Sequence, residues 1–200
     1  AKTAVMGILN YTPDSFSDGG VHSASVEDAV ERIKEMVREG ADIIDVGGQS
    51  TRPNAEINDE EEELRRVVPV IKAAREAGVT QCISVDTFRA NVARKAVEAG
   101  ASMINDVTGG LMDPEMLPTA ADLQVPICLM HYRGDPSTMT GLANYPPGDV
   151  MGQVARELTE RTAAALRAGV HRWNIILDPG IGFAKSASHS LDTLRGARSL

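Results

Sequence analysis

Cysteine is scarce in this sequence, with two in 200 residues, Cys82 and Cys128. Both lie inside apolar runs and lack metal-ligand spacing, so reduced core thiols are expected. Positive charge is in deficit: 20 Lys and Arg stand against 28 Asp and Glu. Such a balance repels nucleic acid and anionic membrane at long range, though it admits a small anionic substrate that needs only a few local cations. No apolar run approaches the ~20 residues that cross a bilayer, and the chain opens without a basic n-region or cleavage site. There is no nucleophile elbow, Walker loop or Rossmann glycine fingerprint, and no second histidine stands at ligand spacing from His131. A soluble protein in a reducing compartment is expected. Its 42% hydrophobic content suffices for a single domain over residues 1–200.

What is present is a regular alternation. Short apolar or β-branched runs occupy residues 4–9, 42–46, 82–85, 102–105, 126–130 and 174–177, with helical periodicity between them. Residues 25–39 place Val26, Ala29, Val30, Ile33 and Val37 on one face. Residues 58–77 open on an acidic turn and carry Arg65, Arg66, Lys72 and Arg75 further along, the order that suits the helix dipole. Residues 89–99 and 150–168 read as helices stopped by Gly100 and Gly169. Strand-then-helix order with short returns predicts a parallel sheet.

The long polar loops decide between a barrel and an open sheet. They all follow strands, at residues 10–20, 47–58, 86–89, 106–113, 131–148 and 178–188, whereas the turns before strands are short. A barrel carries every βα loop on one face; an open sheet would gather them at one switch point. The expected fold is α/β, a TIM (β/α)8 barrel with about six of its eight units, truncated at the C-terminus inside the sixth helix.

Several loops carry chemistry. Residues 10–20, Asn-Tyr-Thr-Pro-Asp-Ser-Phe-Ser-Asp-Gly-Gly, offer hard oxygen ligands suited to Mg²⁺ or a phosphate oxygen, although an ordinary Asx turn has the same composition. Arg52 follows a glycine pair, and its guanidinium fork suits phosphate or carboxylate. Asp86, Asn105 and Asp178 end successive strands, where they can hydrogen-bond a flat heterocycle; the bland alternative is helix capping, which fits Asp106 and Asp113 better. Phe183 could stack on a planar ligand and Lys185 could face an anion, or they are a packed ring and a surface lysine.

Together these loops resemble the dihydropteroate synthase family. The matching residues are 10–20, 47–54, Ser84-Val-Asp-Thr87, Ile104-Asn-Asp106 with Gly109-Gly110, Leu129-Met-His131 and 178–185, in the family's order. The resemblance implies condensation of 6-hydroxymethyl-7,8-dihydropterin pyrophosphate with p-aminobenzoate, giving 7,8-dihydropteroate and pyrophosphate, with Mg²⁺ as cofactor. It implies that Asp86, Asn105 and Asp178 hold the pterin, with Met130 and Phe183 lining its slot. Asn10 would meet the metal and the pyrophosphate, and Thr51 and Arg52 the pyrophosphate oxygens. Ser50, Thr51 and Pro53 would lie near p-aminobenzoate, while the loop carrying Thr12, Pro13, Asp14, Ser15 and Phe16 closes over it. Asp86, Asp178 and Arg52 would carry the chemistry. Pyrophosphate leaves once Mg²⁺ and Arg52 absorb its charge, the two aspartates favour the cationic methylene, and the arylamine attacks.

Two departures stand out. Gln49 replaces a glutamate common in the family, and the family's Ser-Arg-Lys and Arg-x-His segments of the seventh and eighth strands are absent. An inactive pterin-binding fragment is therefore the alternative for this chain alone. A pterin-dependent methyltransferase or a non-catalytic scaffold fits the loops less well. The resemblance also implies a homodimeric parent inhibited by sulfonamides. Residues 60–66, 133–139 and Arg172-Trp173 look more like eukaryotic members, so a cytoplasmic or mitochondrial multifunctional parent is expected.

Overall fold

The computed structural model describes residues 2–11, 25–49, 58–134 and 138–199. They fall into two compact units, one comprising the described residues up to Asn105 and the other those from Asp106 on.

The first unit alternates β1 (Met6–Asn10), α1 (Val26–Glu39), β2 (Ile43–Gly47), α2 (Glu60–Glu76), β3 (Cys82–Asp86), α3 (Ala90–Glu98) and β4 (Met103–Asp106). The strands pair in parallel and in chain order. Ile44, Val46, Ile83, Val85 and Ile104 are fully buried, as expected of parallel strands covered on both faces. Ile33 and Ala29 of α1, with Val67, Val70, Ile71 and Ala74 of α2, are buried at helical spacing. The starts of α1 and α2 are chemically marked. The Ser25 hydroxyl accepts from the Asp28 N–H at 3.1 Å and Asp28 bonds back to Ser25, a capping box. Asp59 accepts from Glu62 N–H at 2.7 Å ahead of four glutamates.

The second unit contains α4 (Met116–Leu123), β5 (Ile127–Met130), α5 (Val150–Arg167), β6 (Ile175–Asp178) and α6 (Ala187–Gly196). β5 and β6 pair in parallel. Val150, Val154 and Leu158 of α5 pack with Tyr145, Met151 and Leu177. Gly100 and Gly169 follow α3 and α5 with φ of 118° and 99°, the left-handed exits the sequence predicts.

Three details differ from expectation. β1 starts two residues later than the apolar run and includes Asn10. α4 was not anticipated, because Pro118 and a run with a single charged outer position, Asp122, hide its periodicity. Cys128 is buried, but Cys82 is only half-buried, next to Ser102 at the sheet's entry side.

Candidate functional site at the strand ends

In the first unit the strand ends form a row. Asn10 is the register partner of Gly47, Gly47 of Asp86, and Asp86 of Asn105. Register partners project to the same face, so three polar side chains share one side of the sheet end. Gly47 opens the row: a Cβ there would lie 3.3 Å from Asp86 Oδ2 and 3.5 Å from Asn10 Oδ1, so both oxygens border the space that glycine leaves. Asn10 is exposed, whereas Asp86 and Asn105 are half-buried.

One residue of the row has a partner that sequence reasoning missed. Asn105 Nδ2 donates to Asp45 Oδ2 at 2.9 Å, and Asp45 is 3% exposed. Burial pushes the Asp45 carboxyl upward, against the smaller pulls of the nearby Ser84 hydroxyl and the Asn105 amide. Its other oxygen has no hydrogen-bond partner among the described residues. Asp45 lies two residues before Gly47, hence on the same strand face; that period was the available signal.

Gln49 and Asn58 are joined: Gln49 Oε1 accepts the Asn58 N–H at 2.8 Å, and Asn58 Nδ2 donates to the Gly48 carbonyl at 3.1 Å. Arg66 bonds the same carbonyl at 2.9 Å, and Arg89 pairs with fully buried Glu63 and with the Asn58 carbonyl. An amide oxygen accepts this N–H as a carboxylate would, which explains why glutamine serves at position 49. Ser50, Thr51, Arg52 and Pro53, and the Thr12, Pro13, Asp14, Ser15 and Phe16 loop, lie outside the described residues.

In the second unit Met130 and Asp178 are register partners at the ends of β5 and β6. Met130 is buried; Asp178 and Phe183 are half-buried. The His131 N–H donates to the Asp178 carbonyl at 2.8 Å, and Asp178 Oδ1 accepts from Gly180 N–H at 2.7 Å. Gly180 has φ of 66°, and a Cβ there would sit 2.5 Å from the His131 carbonyl oxygen, so no other residue fits this approach.

Lys185 is half-buried and engaged on the protein side. Its ammonium donates to the Gly180 and Phe183 carbonyls at 2.9 and 3.1 Å and meets His131 Nδ1 at 2.9 Å. Burial and then Arg133 pull it down to about 8, against Asp178 and Glu157. His131 is 1% exposed, and its Nε2 lies 2.9 Å from Glu157 Oε2. Burial and Lys185 depress it to about 4. Burial alone would raise Glu157, but hydrogen bonds from Arg133 and Gln153 hold it at about 2. Arg133 stacks over the Tyr145 ring at 4.3 Å, and Tyr145 Oη donates to the Ala184 carbonyl at 3.0 Å. Glu157 and Tyr145 gave no sequence signal, lying well beyond the end of β5 in the chain, whereas Arg133 follows that strand end closely but carried no sign of its partners.

Asp106 does not cap the next helix, as its position suggested. It is fully buried and accepts from Thr108 N–H, Thr108 Oγ1 and Gly110 N–H, closing the turn after β4. Asp113 does not cap α4 either: the cap position is Glu115, without a side-chain cap bond, and Asp113 instead accepts from Glu115 N–H at 2.9 Å in the turn ahead of it. Among the described residues no group of three His, Cys, Asp or Glu side chains could hold a metal, and no helix is long and apolar enough to cross a membrane.

A chain of parallel βα units with polar residues at its strand ends is the class that fold and site define. Residues 6–200 match the model of the pterin-binding enzymes. The folic acid synthesis protein fol1 of Schizosaccharomyces pombe is 56% identical over 189 residues, 94% of this chain and 25% of its own length. The mitochondrial folate synthesis bifunctional protein of Pisum sativum is 48% identical over 197 residues, 98% of this chain and 38% of its own. Dihydropteroate synthase from Xanthomonas albilineans with 4-aminobenzoic acid superposes with a TM-score of 0.88 at 47% identity, covering 98% of this chain and 68% of that one. The same enzyme with 7,8-dihydropteroate gives 0.83 at 43% identity, covering 98% and 67%. The Yersinia pestis enzyme in a sulfonamide drug complex gives 0.89 at 40%, covering 98% and 70%. This chain belongs to the dihydropteroate synthase family of pterin-binding enzymes, with six of the βα units of the family's TIM barrel. It spans a quarter of the length of the fission-yeast relative.

Proposed function

We propose that this chain is the pterin- and p-aminobenzoate-handling part of a dihydropteroate synthase, condensing 6-hydroxymethyl-7,8-dihydropterin pyrophosphate with p-aminobenzoate to give 7,8-dihydropteroate and pyrophosphate. The observation that carries the reading is the in-register row Asn10, Gly47, Asp86 and Asn105, present in a chain of this family. Asp86 accepts from ring N–H donors of the pterin, and Asn105, its nitrogen turned to Asp45, offers the ring its amide oxygen. The family resemblance assigns Asp178, Met130 and Phe183 to pterin binding as well, the carboxylate as an acceptor and the other two as apolar contacts.

Asn10 fits one oxygen position on Mg²⁺: its Oδ1 borders the gap over Gly47 that Asp86 Oδ2 also borders. Magnesium binds through few protein oxygens and takes the rest from water and phosphate. Bound there, it would neutralise charge on the departing pyrophosphate. Thr51 and Arg52 bind the pyrophosphate oxygens, and Ser50 and Pro53 flank p-aminobenzoate, over which Thr12, Pro13, Asp14, Ser15 and Phe16 close. The bond from the pterin methylene to pyrophosphate breaks, the arylamine nitrogen forms the new C–N bond, and its proton leaves to solvent. Asp86 and Asp178 favour the positive charge on the methylene electrostatically. Sulfonamides would compete with p-aminobenzoate. Residues 1–200 form one barrel domain in this reading, in a homodimeric parent of the cytoplasm or, like the pea relative, of mitochondria.

Calorimetric titration of the chain with the pterin pyrophosphate tests the proposal. Binding that Asp86→Ala abolishes is the expected result; binding unchanged by Asp86→Ala would sink it.

A further inference from the structure

Four side chains in the second unit make a continuous run of polar contacts: Lys185 to His131, His131 to Glu157, and Glu157 to Arg133. A buried charged run is weak evidence for stability, being often no better than a well-packed apolar replacement, and burial lowers the pKa of both Lys185 and His131.

The run ends on a loop that is held at Asp178, Gly180, Phe183 and Ala184. Lys185 holds the Gly180 and Phe183 carbonyls. The Gly180 N–H in turn caps Asp178 Oδ1. Ala184 takes a left-handed φ of 47°, unusual for a residue with a Cβ, and its carbonyl is held by Tyr145. Backbone in such a region persists only where its surroundings over-determine it, and it concentrates at binding sites.

We propose that His131 is a positioning residue: a neutral imidazole that ties Lys185 to Glu157 and, through Lys185, holds the 178–185 loop in its pterin-binding conformation. The partners fix its tautomer. An ammonium only donates, so Nδ1 must accept; a carboxylate only accepts, so Nε2 must carry the hydrogen. The ring is therefore a one-way connector between a cation and an anion about one residue's width apart. A leucine at 131 would leave the Lys185 ammonium short of an acceptor and Glu157 short of a donor. A glutamine amide presents both functions on one planar group and restores them in part.

The inference rests on the pterin role of Asp178 and Phe183, and its test separates the two. Selective ¹⁵N labelling of histidine in the full chain is expected to show His131 as the neutral Nε2–H tautomer throughout pH 6–8. Calorimetry with the pterin pyrophosphate is expected to show about tenfold or greater weakening in His131→Leu, the scale of one hydrogen bond to a charged group. Lys185→Met should weaken binding similarly, and His131→Gln should recover most of it. The Lys185→Met and His131→Gln comparison stands if His131→Leu fails to fold. An Nδ1–H tautomer or an imidazolium in this range overturns the bridge. Wild-type affinity in Lys185→Met and in whichever His131 variants fold overturns the positioning role alone, whereas absence of pterin binding by the wild-type chain overturns the reading of the site itself.

Discussion

Asn105 turns its amide nitrogen to Asp45 at 2.9 Å, and that contact decides which end of the amide is left for a ligand. Asp45→Ala is expected to release the amide and weaken pterin affinity about tenfold, the value of one hydrogen bond to a charged acceptor. Titration calorimetry checks it, and an unchanged affinity would assign Asp45 to folding only. Protonation gives a second expectation at this scale. His131 titrates near 4 in the folded chain instead of its ordinary 6.5, chiefly through burial. Above pH 6.5 both folded and unfolded forms hold it neutral; as pH falls toward 4 only the unfolded chain takes up the proton, so stability is lost across that window. The shift corresponds to about 3 kcal/mol. Glu157, held at about 2, adds a further loss below its ordinary value of 4.5. Denaturant titrations at pH 7 and pH 4.5 should therefore differ by a few kcal/mol, and His131→Gln should flatten the upper part of the profile. The strand-end residues Asp86, Asn105 and Asp178 were legible because position after an apolar run exposes them. Their supports were not, since Asp45 hides inside a run and Glu157 lies 26 residues from His131.

At the scale of elements, capping and burial locate the boundaries. Ser25→Ala removes the side-chain half of a capping box, the hydroxyl that accepts from the Asp28 N–H, and is expected to lower stability by about 1 kcal/mol without touching ligand affinity. Leu129→Ala, at a fully buried position of β5, is expected to cost about 2–5 kcal/mol; thermal or chemical unfolding measures both. Among the described residues, four of the six α-helices and all six strands were read with their approximate bounds in advance, helped by glycine stops such as Gly100, after which β4 begins at Met103. α4 escaped because Met116-Leu-Pro-Thr-Ala-Ala-Asp-Leu123 has no polar stripe to set against its apolar one. For Lys185 two readings stayed open, an anion-facing ammonium and a surface charge. A lysine among glycines reads as a surface charge, and only the fold brings the Gly180 and Phe183 carbonyls to its ammonium.

The whole molecule is two compact units of one family fold, each carrying its polar residues at the carboxyl ends of parallel strands. In the first, register alone aligns Asn10, Gly47, Asp86 and Asn105; in the second, Asp178 is set by the loop that Lys185 and His131 hold. The central claim is that these strand ends bind a pterin. Titrating 6-hydroxymethyl-7,8-dihydropterin pyrophosphate into the wild-type chain and into Asp178→Ala, with circular dichroism to verify folding, tests it most directly. Saturable binding by the wild type that the folded variant has lost is the expected result; equal affinity in the two, or none in the wild type, would contradict the account.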